Sequence, residues 1–353
     1  MNTTSRMTRR RHLLAIGAVV MATALAGCSA ASADVTPPTA AFAESATPAP
    51  VPIPVTVSIA SLKGPTTMGL VGLMDDAAQG KAAEDYQVTM YGSPDEVVPL
   101  IAQSSVDMAL IPSNLAAVLY AKTKGSDAQI SVLAVNTLGV LNIVESGDTI
   151  HSIADLKGHT IYATGKGASP EYVLNYLLTQ AGLTPGTDVD VQFLSEHTEV
   201  VAQLTTTPGS IGVLPQPFVT IAEAKSPDLR TALDLTEEWA AVAPDSQLIT
   251  GVVVVRNAFA KEHPDAVAQF MADYDASTQW VNANPAGAAP LIVDAGIVPT
   301  AALAEKAIPR SYITFVAGAE MKSALSGYLQ VLFDANPKSV GGSMPGDDFY
   351  FGG

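Results

Sequence analysis

One cysteine in 353 residues cannot form a disulfide within the chain, so an ordinary apolar core must hold the fold. Basic residues are also scarce. Eighteen Lys and Arg face 34 Asp and Glu, for a net charge of −16 at pH 7, which argues against nucleic acid as a partner. The five histidines, His12, His151, His159, His197 and His263, include no pair at the four-residue spacing of a helical zinc site. No serine sits in a nucleophile elbow: Gly341-Gly342-Ser343-Met344-Pro345 ends in proline where glycine is needed. Gly165-Lys166-Gly167 is neither a dinucleotide fingerprint, since Pro170 stands where the third glycine belongs, nor a Walker loop. Internal repeats of 20–50 residues are missing as well. What remains is a chain 48% hydrophobic and 15% charged, long enough to bury one or two good cores.

The N-terminus carries the first positive signal. Arg6, Arg9, Arg10 and Arg11 precede an apolar run over residues 13–26, shorter than the ~20 residues of a transmembrane helix. Residues 1–27 therefore read as an export signal. Leu25-Ala26-Gly27-Cys28 resembles the bacterial lipobox. That resemblance implies cleavage before Cys28, acylation there, palmitate included, and anchoring on the extracytoplasmic face of the cell membrane. Arg10-Arg11-His12-Leu13-Leu14 also resembles a twin-arginine pattern, which leaves the export route open. Residues 28–54, rich in Ala, Ser, Thr and Pro, read as a flexible tether.

From Val55 onward short β-rich runs alternate with helical spacing. Strands are predicted over 55–60, 87–91, 107–111 and 130–135, with helices over 66–80, from Ser93 onward, and over 114–124. Ser93-Pro94-Asp95-Glu96 has the form of a capping box. A strand over 141–144 follows so closely that no helix fits before it. A second run places strands over 160–164, 189–194 and 211–214, with helices over 170–181 and 199–204. Residues 251–255 read as a further strand, and the chain beyond Asn257 reads mainly as helix. The fold expected is α/β in two lobes, each a mostly parallel sheet flanked by helices. Lobe 1 takes 55–137 and 252–353, lobe 2 takes 138–251, and extended hinge crossings fall near 136–140 and 250–255.

In open α/β sheets ligands bind beyond the carboxyl ends of the strands, where helix N-termini leave N–H groups unpaired. Five junctions carry small or polar residues suited to this: 62–67, 112–114, 165–170, 195–198 and 215–217. Lys63 and Lys166 are the basic residues there and suit an anion; Glu196 suits an amine or ring nitrogen. The same residues also suit plainer roles, Ser113 and Ser169 as helix caps and the glycines as turns.

Several segments carry a family resemblance: Leu62-Lys63-Gly64-Pro65-Thr66, residues 106–114, residues 152–162, Leu214-Pro215-Gln216-Pro217-Phe218 and residues 337–342. The chain resembles the substrate-binding lipoproteins of ABC importers, in the branch that binds nitrate, sulfonates, taurine and thiamine-pyrimidine precursors. The resemblance covers nearly all of the chain beyond the tether and implies the type II periplasmic-binding-protein fold. It implies a monomeric, non-enzymatic receptor without cofactor or metal. Such a receptor captures a small polar or anionic ligand and delivers it to a permease and ATPase. By analogy the ligand meets Gly64, Pro65 and Thr66, Ser113 and Asn114, and Gly167, Ala168 and Ser169. Asn136 and Thr137 lie on the first crossing, and Glu196 and Gln216 on later junctions. Aromatics are sparse in these loops; Tyr91, Tyr162 and Phe218 are the ones placed to line a cleft, which weakens a flat pyrimidine or other heteroaromatic ligand. A lyase on the same fold and a sensor lipoprotein are the readings from other classes.

Overall fold

The computed structural model describes residues 53–352; the predicted export signal, Cys28 and all but the last two residues of the predicted tether lie outside them. The chain runs β1 (Thr56–Leu62), α1 (Pro65–Met68), α2 (Val71–Ala78), β2 (Asp85–Tyr91), α3 (Pro94–Ala102), β3 (Met108–Pro112), α4 (Ser113–Thr123) and β4 (Ile130–Leu138). It continues with β5 (Leu141–Ser146), β6 (Thr160–Ala163), α5 (Ser169–Gln180), β7 (Asp190–Phe193), α6 (His197–Thr206), β8 (Ile211–Pro215), α7 (Phe218–Lys225), β9 (Leu229–Asp234) and α8 (Leu235–Val242). Last come β10 (Ile249–Arg256), α9 (Asn257–Glu262), α10 (Pro264–Ala283), α11 (Pro285–Asp294), α12 (Ala301–Ala307), β11 (Ile313–Ala317) and α13 (Gly318–Ala335).

Two sheets result. One has six strands in the order β11-β4-β10-β3-β1-β2, the other five in the order β7-β6-β8-β5-β9. Helices cover both, as expected for the two-lobed α/β class. The sheets are mixed, however, where mostly parallel ones were expected. β10 runs antiparallel to β3 and β4, β11 to β4, and β5 to β8 and β9. A crossing without a helix cannot bring the chain back to the end of a sheet it left, so the strands on either side of a crossing run against their neighbours.

Central strands are buried on both faces, and their sequences show it. β3 (MALIP) is buried throughout, and β10 (ITGVVVVR) is buried over Gly251–Val255. The first crossing is Gly139-Val140. The return passes through 243–248, before the 250–255 segment expected, because β10 pairs with β4 from Ile249 onward. The predicted helix over 66–80 breaks at Gly69-Leu70. A Cβ at Gly69 would stand 2.9 Å from the Ile313 side chain, and the Gly69 carbonyl accepts from Ser277 Oγ at 2.7 Å. The sequence reading leaves α7, β9 and α8 unplaced and reads β11 into helix. β11 is a short edge strand with only Ile313 buried, and its period-2 signal is weak.

Within β5, Glu145 is 2% exposed. Burial alone would raise its carboxyl, but the N–H groups of Ile150 and Thr149, the Thr149 hydroxyl and the Arg230 guanidinium hold it below the usual range. A depressed folded value contributes stability above the unfolded value, and this is lost as pH falls through the folded one. Glu145→Gln should therefore cost about 2 kcal/mol at pH 7 and progressively less toward acid. Urea unfolding at several pH values measures this; a cost independent of pH would mean that Glu145 is not held as the anion.

Candidate functional site

A cavity of about 280 Å³ lies between the two sheets. It opens where Leu62, Gly92 and Pro112 end or follow β1, β2 and β3, and where Thr164, Leu194 and Pro215 end or follow β6, β7 and β8. The carboxyl ends of strands from both sheets thus converge, and the helices that follow begin at the cavity wall. The wall is a mixture. Leu62, Val140, Leu141 and Leu194 are apolar, Thr66, Thr137, Thr164 and Thr250 bring hydroxyls, and Lys63, Lys166 and Asp95 bring charge.

The sequence-derived candidates divide into two groups. Pro65, Thr66, Thr137 and Ala168 line the cavity, and Gly64 sits beside Pro65 at φ 136°, with the Phe218 ring 3.3 Å from where a Cβ would be. The others serve the protein itself. Asn136 is 1% exposed and donates to the Thr66 carbonyl at 3.3 Å. Gln216 is also 1% exposed; its Oε1 accepts from the Thr220 hydroxyl at 2.7 Å and caps α7. Glu196 is the exposed N-cap of α6, and its carboxylate touches Gly92 of the opposite lobe: a Cβ there would lie 2.8 Å from Oε1.

Ser113, Asn114, Gly167 and Ser169 form one cluster behind the cavity. Ser113, Asn114 and Ser169 are fully buried. Asn114 Nδ2 donates to the Gly167 carbonyl at 3.2 Å and to the Ser339 carbonyl at 3.1 Å, while its Oδ1 accepts from Ser169 Oγ at 3.1 Å. Ser113 Oγ donates to the Ile249 carbonyl at 2.5 Å. Asn114 and Ser169 do face each other from the two lobes, each in the first turn of its helix, and they bond to one another. The cluster is a latch between α4 and α5. Tyr328 of α13 lies buried beside the two serines, and burial pushes its phenol up to about 12.

The sequence reading leaves two parts of the wall unassigned to the ligand, although His197 falls in the 195–198 junction expected at the cleft. The Gly92–Asp95 loop was expected only to cap α3; it also lines the cavity because β2 ends level with β1. His197 lines the cavity too. Its Nδ1 lies 2.8 Å from the Thr164 hydroxyl, and its ring packs on Phe218 at 4.7 Å between centroids. Burial pushes the imidazole down to about 4, so it is neutral near pH 7. A lone histidine next to Glu196 gave no spacing signal; only the fold turns it inward. Of the three aromatics expected at the cleft, Phe218 stands behind His197, and Tyr91 and Tyr162 pack against the cores. Among the described residues no cluster of His, Cys, Asp or Glu could hold a metal, and no helix is long and apolar enough to cross a membrane.

Comparison with known proteins follows this geometry. The family described as "ABC transporter, phosphonate, periplasmic substrate-binding protein" matches residues 79–306. The sequence comparison with curated proteins gives no match. Among solved structures, an ABC transporter protein from Parabacteroides distasonis is 23% identical with a TM-score of 0.67, over 84% of this chain and 98% of that one. The periplasmic aliphatic sulphonate binding protein SsuA from Escherichia coli is 16% identical with a TM-score of 0.64, over 82% and 91% of the two chains. The periplasmic nitrate-binding protein NrtA from Synechocystis is 14% identical with a TM-score of 0.61, over 81% and 84%. At these identities the structural likenesses establish the periplasmic-binding-protein fold.

The latch sets a prediction. Asn114→Ala leaves the Gly167 and Ser339 carbonyls and the Ser169 hydroxyl short of a partner, which should cost about 1–3 kcal/mol without any ligand. Asn114→Ala and Ser169→Ala should then couple by roughly 0.5 kcal/mol or more in a double-mutant cycle of urea unfolding. Strict additivity would mean the two side chains do not hold each other.

Proposed function

Because this chain belongs to the phosphonate-type family of periplasmic substrate-binding proteins of ABC transporters, we propose that it is a lipid-anchored receptor. It binds one small organic solute in the cavity between its sheets and passes it to a permease driven by an ATPase. The observation that carries this reading is the cavity itself, whose wall comes from the strand ends of both sheets. A solute there touches Pro65, Thr66 and Thr137 from one lobe and Thr164, Ala168 and His197 from the other, so occupancy favours the arrangement in which the lobes meet. The latch of Asn114 with Ser169 and Gly167 tightens the same arrangement from behind. Transport by such a receptor involves no bond chemistry. The neutral His197 supplies a hydrogen-bonding group to the solute, not a proton transfer.

Cys28 is the proposed anchor, and acylation there holds the receptor at the extracytoplasmic surface of the membrane. Two or more acyl chains hold a protein firmly, whereas one holds weakly. Cys28→Ser should move the protein out of the membrane fraction or stall its processing. Retention in the membrane with normal cleavage would contradict the anchor.

The site has its own test. Thr66 is part-buried on the wall, and a phenyl ring there would occupy the space between the lobes. A ligand at 100-fold its Kd stabilises a protein by ~2.7 kcal/mol, a shift readily seen in thermal unfolding. Thr66→Phe should abolish the shift that a small-molecule extract of the producing cells gives the native protein, with the ligand-free Tm nearly unchanged. An undiminished shift in Thr66→Phe would place binding elsewhere.

A further inference from the structure

We propose that Asn136 is a positioning residue of the binding site: it holds Thr66 and Thr137 of the cavity wall in one fixed arrangement without reaching the solute itself. The inference rests on the cavity being the ligand site. Thr66 and Thr137 line the cavity, whereas Asn136, 1% exposed, stands behind them.

A break in the register of β4 makes this possible. Thr137 pairs with Gly251 of β10 and Val135 with Val252, so Asn136 is an extra residue, a β-bulge. In a regular strand neighbouring side chains point to opposite faces; a bulge re-aims one of them, as it often does beside functional sites. Here Asn136 and Thr137 come to the same face. A Cβ at Gly251 would lie 2.6 Å from Asn136 Oδ1 and 3.0 Å from Thr137 Oγ1. Glycine opposite the bulge leaves the space that both side chains use.

The Asn136 amide works at both ends. Its Nδ2 donates to the Thr66 carbonyl at 3.3 Å, and its Oδ1 accepts from the Thr137 hydroxyl at 3.3 Å. A carbonyl can only accept, so the nitrogen must face Thr66, and the oxygen is left for Thr137. The first contact fixes backbone: α1 is a single turn of four residues, too short to be held by its own ladder. The second fixes a rotor. With its proton given to Asn136, the Thr137 hydroxyl has only lone pairs left to offer. Thr250 Oγ1 donates to the Thr137 carbonyl at 3.3 Å and steadies the same residue from β10. A wall ordered in advance loses less freedom when a solute arrives, so affinity depends on the residue that orders it.

The test uses the full chain in detergent and a small-molecule extract of the producing cells, dosed in thermal unfolding. The readout is the dose that gives half the maximal rise in Tm. Thr66→Phe should remove the rise, which places binding in the cavity. Asn136→Ala should need about tenfold more extract, the loss expected when one hydrogen-bonding group is misplaced. Thr137→Val should need a similar excess. The double variant should need clearly less than the product of the two, because Asn136 acts through Thr137. Gly251→Ala keeps both side chains but crowds them, and should raise the dose as Asn136→Ala does; it carries the test if Asn136→Ala does not fold. Ser131→Ala removes hydrogen bonds to Asn257 and the Asp348 carbonyl near the far end of β4. It should lower the ligand-free Tm and keep the native dose. A native dose in Asn136→Ala or Gly251→Ala, a multiplicative double variant, or an equal excess in Ser131→Ala overturns the positioning role and leaves the cavity as the site. A rise that survives in Thr66→Phe, or no rise in the native protein, overturns the site reading beneath it and this inference with it.

Discussion

Gly139 and Val140 carry the chain from the six-stranded sheet to the five-stranded one, both at positive φ, 41° and 77°. Glycine accepts that conformation, and at Gly139 a Cβ would also lie 2.4 Å from the Thr236 hydroxyl. Val140 does not accept it readily: a β-branched residue there is strained by about 1–3 kcal/mol. It persists because its surroundings leave it no alternative. Val140 is 1% exposed, and its carbonyl accepts from Gln216 N–H at 3.2 Å and from Asn142 Nδ2 at 3.0 Å. Gly139 N–H meanwhile donates to the Leu248 carbonyl, tying the outgoing crossing to the returning one. With the crossing this short, the strand ends of the two sheets must face each other, and the cavity, whose wall includes Val140, follows from that.

The latch and the lip act on the same geometry from opposite sides. Behind the cavity, fully buried polar groups of α4 and α5 satisfy one another, and removing any one leaves others unpaired in an apolar setting. Tilted ring contacts of Trp239 with Tyr176 and Tyr328 extend this contact between α5, α8 and α13. At the open side Glu196 reaches Gly92 from the other sheet's loops. The protein joins its lobes through small residues and hydrogen bonds near the cavity and through aromatic packing farther from it. A solute adds its own contacts to an arrangement that the chain already favours.

Much of the fold was legible because its signals are local. Valine-rich 251–255, the Ser93–Glu96 cap and the short gap before Leu141 each report a strand, a helix start or a crossing without reference to anything distant. The unplaced elements have no such local signature. β9 alternates burial only partly, β11 has one buried residue, and the break after Met68 depends on Ile313 and Ser277, more than 200 residues away. Among the site candidates, the loops after β1, β3 and β6 were readable from small and polar residues at strand ends. Those residues did not reveal which would face the cavity. Ser113, Asn114 and Ser169 have the same composition as ligand-binding residues, yet they turn to each other.

The sequence by itself determined the α/β class, the two-sheet organisation, the absence of internal disulfides and the junctions at which a site could form. Hydrophobic period, turn residues and cysteine count are properties of short stretches of chain. Only the tertiary structure decided that His197 is neutral and faces inward, that Asn114 and Ser169 close a latch, and that Asn136 reaches the Thr66 carbonyl. Each of those outcomes depends on what stands opposite in space: burial sets the charge of an imidazole, and a hydrogen bond goes to whichever partner the fold brings within reach.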